Sequence, residues 1–69
     1  MKNTVRMERA RLKMSQQEFA EKLGVSRQTV HSIETGKFIP SCLLALKIAV
    51  ICEQSVEDIF IIEKKDWEK

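Results

Sequence analysis

Sixty-nine residues, 43% of them aliphatic or aromatic, with two glycines and one proline, describe a single folded domain and exclude a disordered or collagen-like chain. A chain this short buries only about 60% of its unfolded surface, so a partner subunit would add useful core. The net charge of +2 hides a division: residues 1–47 carry nine basic against four acidic residues, and residues 48–69 carry three against six, which suits a polyanion on one side or, more plainly, a solvated charged surface.

No apolar run approaches eighteen residues and no charged-then-apolar leader is visible, so neither a membrane span nor a signal peptide is expected and the location reads as cytoplasmic. Cys42 and Cys52 stand ten apart in one predicted helix, about 15 Å along its axis, too far to bond to each other. Both read as core thiols, with no second ligand pair to support a metal or redox role.

Met1 to Asn3 read as a frayed end or a short strand. Val5, Arg9 and Leu12 recur at helical spacing among the charges Arg6, Glu8, Arg11 and Lys13, predicting a first helix over 4–13. Ser15 followed by Glu18 forms a capping box and opens a second helix. Phe19, Ala20 and Leu23 give that helix its apolar face, and Gly24 suits the left-handed position that ends it. Val25 then turns inward and Ser26 caps a third helix from Arg27 to about Thr35.

Counting 100° per residue from Arg27 puts Val30 near 300° and Ile33 near 240°, so the buried direction is about 270°. The opposite side holds Gln28, flanked by His31 and Ser32, with Arg27 at its edge, a polar surface without an acid. Glu34 falls near 340°, toward the core, where a carboxylate requires a cationic partner.

Gly36 ends the third helix, and Lys37-Phe38-Ile39-Pro40 is an irregular connection with Ile39 held extended by the proline. Ser41 caps a fourth helix over 42–52, apolar almost all round and interrupted only by Lys47; Leu43 and Val50 need cover from the tail or from another subunit. Ser55, followed by Asp58, caps a short fifth helix carrying Val56, Ile59 and Phe60. Ile61-Ile62 either form a short strand against the N-terminal residues or continue that helix. Trp67 lies alone in a charged tail, a mobile end or a subunit contact.

Chemistry narrows the function. There is no Gly-rich phosphate loop, no metal-spaced His/Cys set and no nucleophile at a meaningful spacing from His31, so neither an enzyme nor a cofactor or metal site is expected. The carboxylates read as exposed helix positions and caps. A capped helix, a glycine turn and a second helix presenting Arg and Gln in its first turn suit DNA, because Arg can donate twice to guanine and Gln can pair bidentately with adenine. A mere polar helix face could carry the same residues.

The string Met14-Ser15-Gln16-Gln17-Glu18-Phe19-Ala20-Glu21-Lys22-Leu23-Gly24-Val25-Ser26-Arg27-Gln28-Thr29-Val30 resembles the Cro/C1-type helix-turn-helix family, also called the xenobiotic-response-element family. Ile33-Glu34-Thr35-Gly36-Lys37, Pro40-Ser41, Leu44 to Ala49 and Val56 to Phe60 extend the resemblance over residues 5–60. It implies an all-α, five-helix lambda-repressor-like domain that binds operator DNA as a dimer, here residues 1–69 with 61–69 as a C-terminal extension.

By position, the resemblance assigns base reading to Arg27, Gln28 and Ser32, with His31 as a second-rank candidate. It assigns Gln16 to a phosphate contact and to buttressing the first base reader. Ser26, Thr29, Lys37 and Phe38 fall at or near backbone-contacting places, Phe38 only through its main-chain N–H. The family's buried ion pair maps onto Arg9 and Glu34. Glu53 stands where glycine is common and is expected to be left-handed, Gln54 stands where an apolar residue is common, and Leu43 and Val50 replace polar residues. These departures resemble a compact dimeric subgroup, exemplified by the cytolysin repressor, in which residues beyond helix five add a short sheet. Candidate dimer contacts are then Phe38, Ile39, Ile59, Phe60 and Ile62.

The expected function is a transcriptional regulator, a homodimeric repressor reading an inverted repeat in double-stranded DNA. Two alternatives stand beside it: an antitoxin-like or prophage-type regulator that also binds a partner protein through the Leu43/Val50 stripe, and an interaction module that keeps the fold without binding DNA.

Overall fold

The computed structural model describes residues 1–68 and contains five α-helices, a two-stranded sheet and a terminal 3-10 turn. In chain order these are β1 (Lys2–Asn3), α1 (Val5–Arg11), α2 (Gln16–Leu23), α3 (Arg27–Glu34), α4 (Cys42–Cys52), α5 (Val56–Ile59) and β2 (Phe60–Ile61), followed by the turn Lys64–Trp67.

Serine starts four of the helices. Ser15, Ser26, Ser41 and Ser55 are extended, and each side chain accepts the N–H of the residue three further on, an otherwise orphaned donor of the first turn. Each such cap stabilises its helix by about 1 kcal/mol. Gly24 closes α2 at φ +77°, as expected, and Glu53 closes α4 at φ +56°, a left-handed position taken without glycine. Lys13, at φ +57°, is a second such residue, in the turn after α1.

The core is built from one or a few residues of every helix: Val5 of α1, Phe19, Ala20 and Leu23 of α2, Val30 and Ile33 of α3, Ile48, Ala49 and Cys52 of α4, and Ile59 of α5. Fully burying each of the larger ones contributes about 1.5–3 kcal/mol. Among the described residues no helix is long and apolar enough to cross a membrane.

β1 and β2 pair antiparallel, Lys2 opposite Ile61 and Asn3 opposite Phe60, so of the two alternatives for Ile61-Ile62 the strand forms, one residue earlier, over Phe60–Ile61. Phe60 therefore leaves α5 and packs inward from the sheet, 8% exposed. Asn3 carries this sheet to the rest of the fold: its Nδ2 donates to the Ile33 carbonyl at 2.9 Å, and its Oδ1 accepts from the Val5 N–H.

Two sequence readings are corrected. Cys42 is exposed and only Cys52 is a core thiol, whose pKa burial pushes up. Glu8 is buried rather than a surface charge: Arg11 donates from Nε and Nη2 to Glu8 Oε1 at 3.0 and 2.8 Å, and Nη2 also donates to the Cys52 carbonyl at 2.7 Å. This group ties α1 to the C-terminal end of α4.

Candidate nucleic-acid interface

α2 and α3 are held around a turn of fixed shape. The Ser15 N–H donates to Glu18 Oε1 while the Glu18 N–H donates to Ser15 Oγ; hydrogen bonding to the carboxylate from the Ser15 backbone, and then from its side chain, lowers the Glu18 pKa from its ordinary value. At the other end Gly24 donates to Ala20 and Val25 follows onto the same carbonyl, turning the chain into the Ser26 cap. Ser26 Oγ accepts the Thr29 N–H and lies 2.9 Å from Thr29 Oγ1. Both hydroxyls thus serve the first turn of α3.

Glu34 joins three helices. Arg9 Nε donates to its Oε2 at 2.7 Å, Arg9 Nη2 to its Oε1 at 3.3 Å, and Gln16 Nε2 to the same Oε1 at 3.0 Å. The Glu34 side chain is only 3% exposed, so these charge-assisted bonds form where water screens them little. Arg9 Nη1 completes the group by donating to the Met14 carbonyl at 2.9 Å. The acid of α3 is thereby withdrawn from its outer face, and the end of that helix is pinned to α1 and to the first residue of α2.

What remains outward on α3 is polar and free of carboxylates. Arg27, Gln28 and His31 are exposed, and Ser32 and Thr29 are half-buried. Two shallow depressions meet at Gln28, one lined by Gln16, Arg27, Gln28 and His31, the other by Gln28, Thr29, Ser32 and Phe38. The structure therefore gathers the four residues assigned to base reading on one face, with Gln16 beside them. Gln16 spends one of its two amide N–H groups on Glu34, leaving the other N–H as a donor and its carbonyl oxygen as an acceptor. Ser26 and Lys37 are exposed at the two ends of the helix.

Phe38 does not fit the main-chain role. Its N–H already donates to the Ser32 carbonyl at 3.1 Å, which also accepts from Lys37 at 2.9 Å, so it is not free to meet a phosphate. The ring, in contrast, is 46% exposed beside the outer face of α3.

The candidate dimer contacts divide. Ile39 and Ile62 are exposed and line one apolar depression with Met1, Asp66 and Trp67. Ile59 is fully buried and Phe60 nearly so, packed within a single chain, because α5 and β2 turn them under the N-terminal strand; neither side chain is available to a second subunit. The tail that carries Trp67 is held at its base: the Met1 amine lies 3.0 Å from Asp66 Oδ1 and 3.1 Å from Glu63 Oε1. Those two carboxylates push the amine's pKa above its ordinary value. A different apolar stripe, Leu43, Leu46 and Val50, lies exposed along α4, with Lys22 and Lys47 beside it.

Comparison with known proteins adds an independent observation. The helix-turn-helix family profile matches residues 5–59, which span α1 to α5. The chain is 47% identical over 66 residues to YgzD of Bacillus subtilis, named an uncharacterised HTH-type transcriptional regulator, covering 96% of this chain and all of that protein. It is 51% identical over 63 residues to a protein of the same description from Methanocaldococcus jannaschii, covering 91% of this chain and 96% of the relative. An HTH-type transcriptional regulator of Archaeoglobus fulgidus is 41% identical over 70 residues, covering all of this chain.

Proposed function

The chain belongs to the Cro/C1-type helix-turn-helix family of DNA-binding transcriptional regulators, and from that premise we propose that it is a homodimeric repressor whose α3 reads an inverted repeat in the major groove. The observation that carries this reading is the outer face of α3, where Arg27, Gln28, His31 and Ser32 stand together while Glu34 is drawn inward by Arg9 and Gln16. A groove floor of base edges demands donors and acceptors without repelling carboxylates, and that is the composition presented.

Each role follows from chemistry. Arg27 donates to guanine O6 and N7, Gln28 pairs with adenine N6 and N7, and Ser32 and His31 make single hydrogen bonds. Ser26, Thr29 and Lys37 contact phosphates on either side, while Gln16 buttresses Arg27 and reaches a phosphate with its remaining hydrogen-bonding capacity. The family resemblance assigns these positions, and the structure leaves their side chains at or near the surface.

Exposed Ile39, Ile62 and Trp67 support a homodimer, since a chain with so small a core gains by covering them. Two copies would set their α3 helices about 34–36 Å apart, on half-sites one turn of duplex apart. Repression then needs only occupancy of a promoter, and the protein works in the cytoplasm, without a cofactor. Selection of bound fragments from random duplex DNA tests this. Recovery of an inverted repeat with half-sites one turn apart is the expected result, and recovery of no common sequence refutes it.

The α4 stripe favours one further reading, an antitoxin-like or prophage-type regulator that also binds a partner protein. Leu43 is 64% and Val50 76% exposed, an apolar surface that a partner protein would cover.

A further inference from the structure

Phe38 is a large ring left half in water on a small domain, 46% exposed. Its surroundings say which surface it serves. The depression it lines is shared with Gln28, Thr29 and Ser32, whereas the apolar depression of the candidate dimer surface is lined by Met1, Ile39, Ile62, Asp66 and Trp67 without it. The ring therefore belongs with the outer face of α3. Its backbone is fixed there, because Phe38 and Lys37 both donate to the Ser32 carbonyl at the end of the helix.

Along α3, Gln28 and Ser32 are four apart and form one ridge. On one side of that ridge lie the polar Arg27 and His31 with Gln16; on the other lie Phe38 and Thr29. Thr29 carries a methyl beside a hydroxyl that lies 2.9 Å from Ser26 Oγ. The outer surface of α3 is thus polar on its leading side and bordered by the Phe38 ring on its trailing side. The one apolar group that base pairs present in the major groove is the C5-methyl of thymine.

Building on the proposal that α3 enters the major groove, we infer that Phe38 is a specificity residue whose ring packs on a thymine methyl beside the base pair read by Gln28. A bidentate Gln28–adenine contact places an A·T pair at the ridge, and the apolar flank then selects thymine at the neighbouring position. No hydrogen bond from Phe38 is involved, which agrees with its N–H being spent inside the protein.

The test uses the full chain and the DNA sequence it selects. Each thymine of that sequence is replaced singly by deoxyuridine, which removes one methyl and nothing else, and affinity is measured for the parent protein and for Phe38→Ala and Phe38→Leu. At one thymine in each half-site the parent is expected to lose about fourfold, the order set by one buried methyl. Phe38→Ala should bind the thymine and deoxyuridine forms equally there, Phe38→Leu should retain part of the preference, and sedimentation should show the same oligomeric state for all three. Identical thymine-to-deoxyuridine profiles for parent and Phe38→Ala overturn the inference, as does conversion of Phe38→Ala to monomer, which would move the ring to the subunit contact. If the parent selects no sequence at all, the DNA-reading proposal itself fails; a selected sequence indifferent to every methyl refutes only the role of Phe38.

Discussion

Replacing Arg9 by alanine should cost about 3 kcal/mol of folding stability, and the size follows from what is left behind. The Glu34 side chain, 3% exposed, accepts three hydrogen bonds, two of them from Arg9, and the substitution leaves only the neutral Gln16 amide. Removing one partner of a buried ion pair costs about 3–5 kcal/mol, and the remaining Gln16 bond places this case at the lower end. A domain of this length has roughly 3–10 kcal/mol in total, so a third or more of its stability is at stake. At about 4–8 °C per kcal/mol, the melting temperature should fall by about 12–24 °C. Urea unfolding followed by circular dichroism measures it, together with the double variant Arg9→Met/Glu34→Leu. Because replacing both charges strands neither, the double variant should lie within about 1 kcal/mol of the parent. A loss below about 0.5 kcal/mol for Arg9→Ala, or a double variant as unstable as the single one, would refute the reasoning.

Three other outcomes are expected. Glu53→Gly should raise stability by roughly 1 kcal/mol, because φ +56° costs a side-chain-bearing residue about 1–2 kcal/mol and glycine much less; an unchanged melting temperature would count against it. The contact between the Met1 amine and Glu63 and Asp66 should give the tail a pH window. The amine's pKa is raised from 8.0, so its contribution is complete below pH 8 and lost only at more alkaline values, while the two carboxyls are lowered from 4.5 and 3.8, so theirs is complete above about pH 5 and lost below their folded values. Trp67 emission should therefore hold constant between about pH 5 and 8 and change outside it, and acetylating the amine should remove the alkaline limb. Ile39→Asp or Ile62→Asp should convert the proposed homodimer to monomer in sedimentation while circular dichroism stays helical, since both residues are exposed within one chain.

The local beginnings and ends of the helices were legible because each depends on a few neighbouring residues. Ser15, Ser26, Ser41 and Ser55 announce their helices by their own hydrogen bonding, and Gly24 its stop. The outer face of α3 was legible for a related reason: Val30 and Ile33 fix its buried direction, so the opposite side follows from the helical period.

Glu8 was missed although the same period was available, since Val5, Glu8 and Leu12 share one face and an inward acid there needs the cation that Arg11 supplies. Cys42 and Phe60 carried no such signal. α4 has a single polar residue, Lys47, so its pattern does not choose which side meets water, and Cys42 emerges at its first turn. Phe60 is drawn out of α5 by pairing with Asn3, a partner 57 positions away in sequence, and tertiary pairing of that kind leaves no local trace. The placement of Phe38 on the α3 side depended likewise on a backbone bond to Ser32 that only the folded loop reveals.

Whether α3 reads DNA is decided by comparing Arg27→Ala and Lys37→Ala with the parent protein on the selected sequence and on random duplex, over a series of salt concentrations. Arg27→Ala should weaken binding to the selected sequence by about 1–3 kcal/mol and leave random DNA little affected, whereas Lys37→Ala should weaken both alike and reduce the salt slope by about 1. Equal losses on selected and random DNA for Arg27→Ala would contradict a base-reading α3.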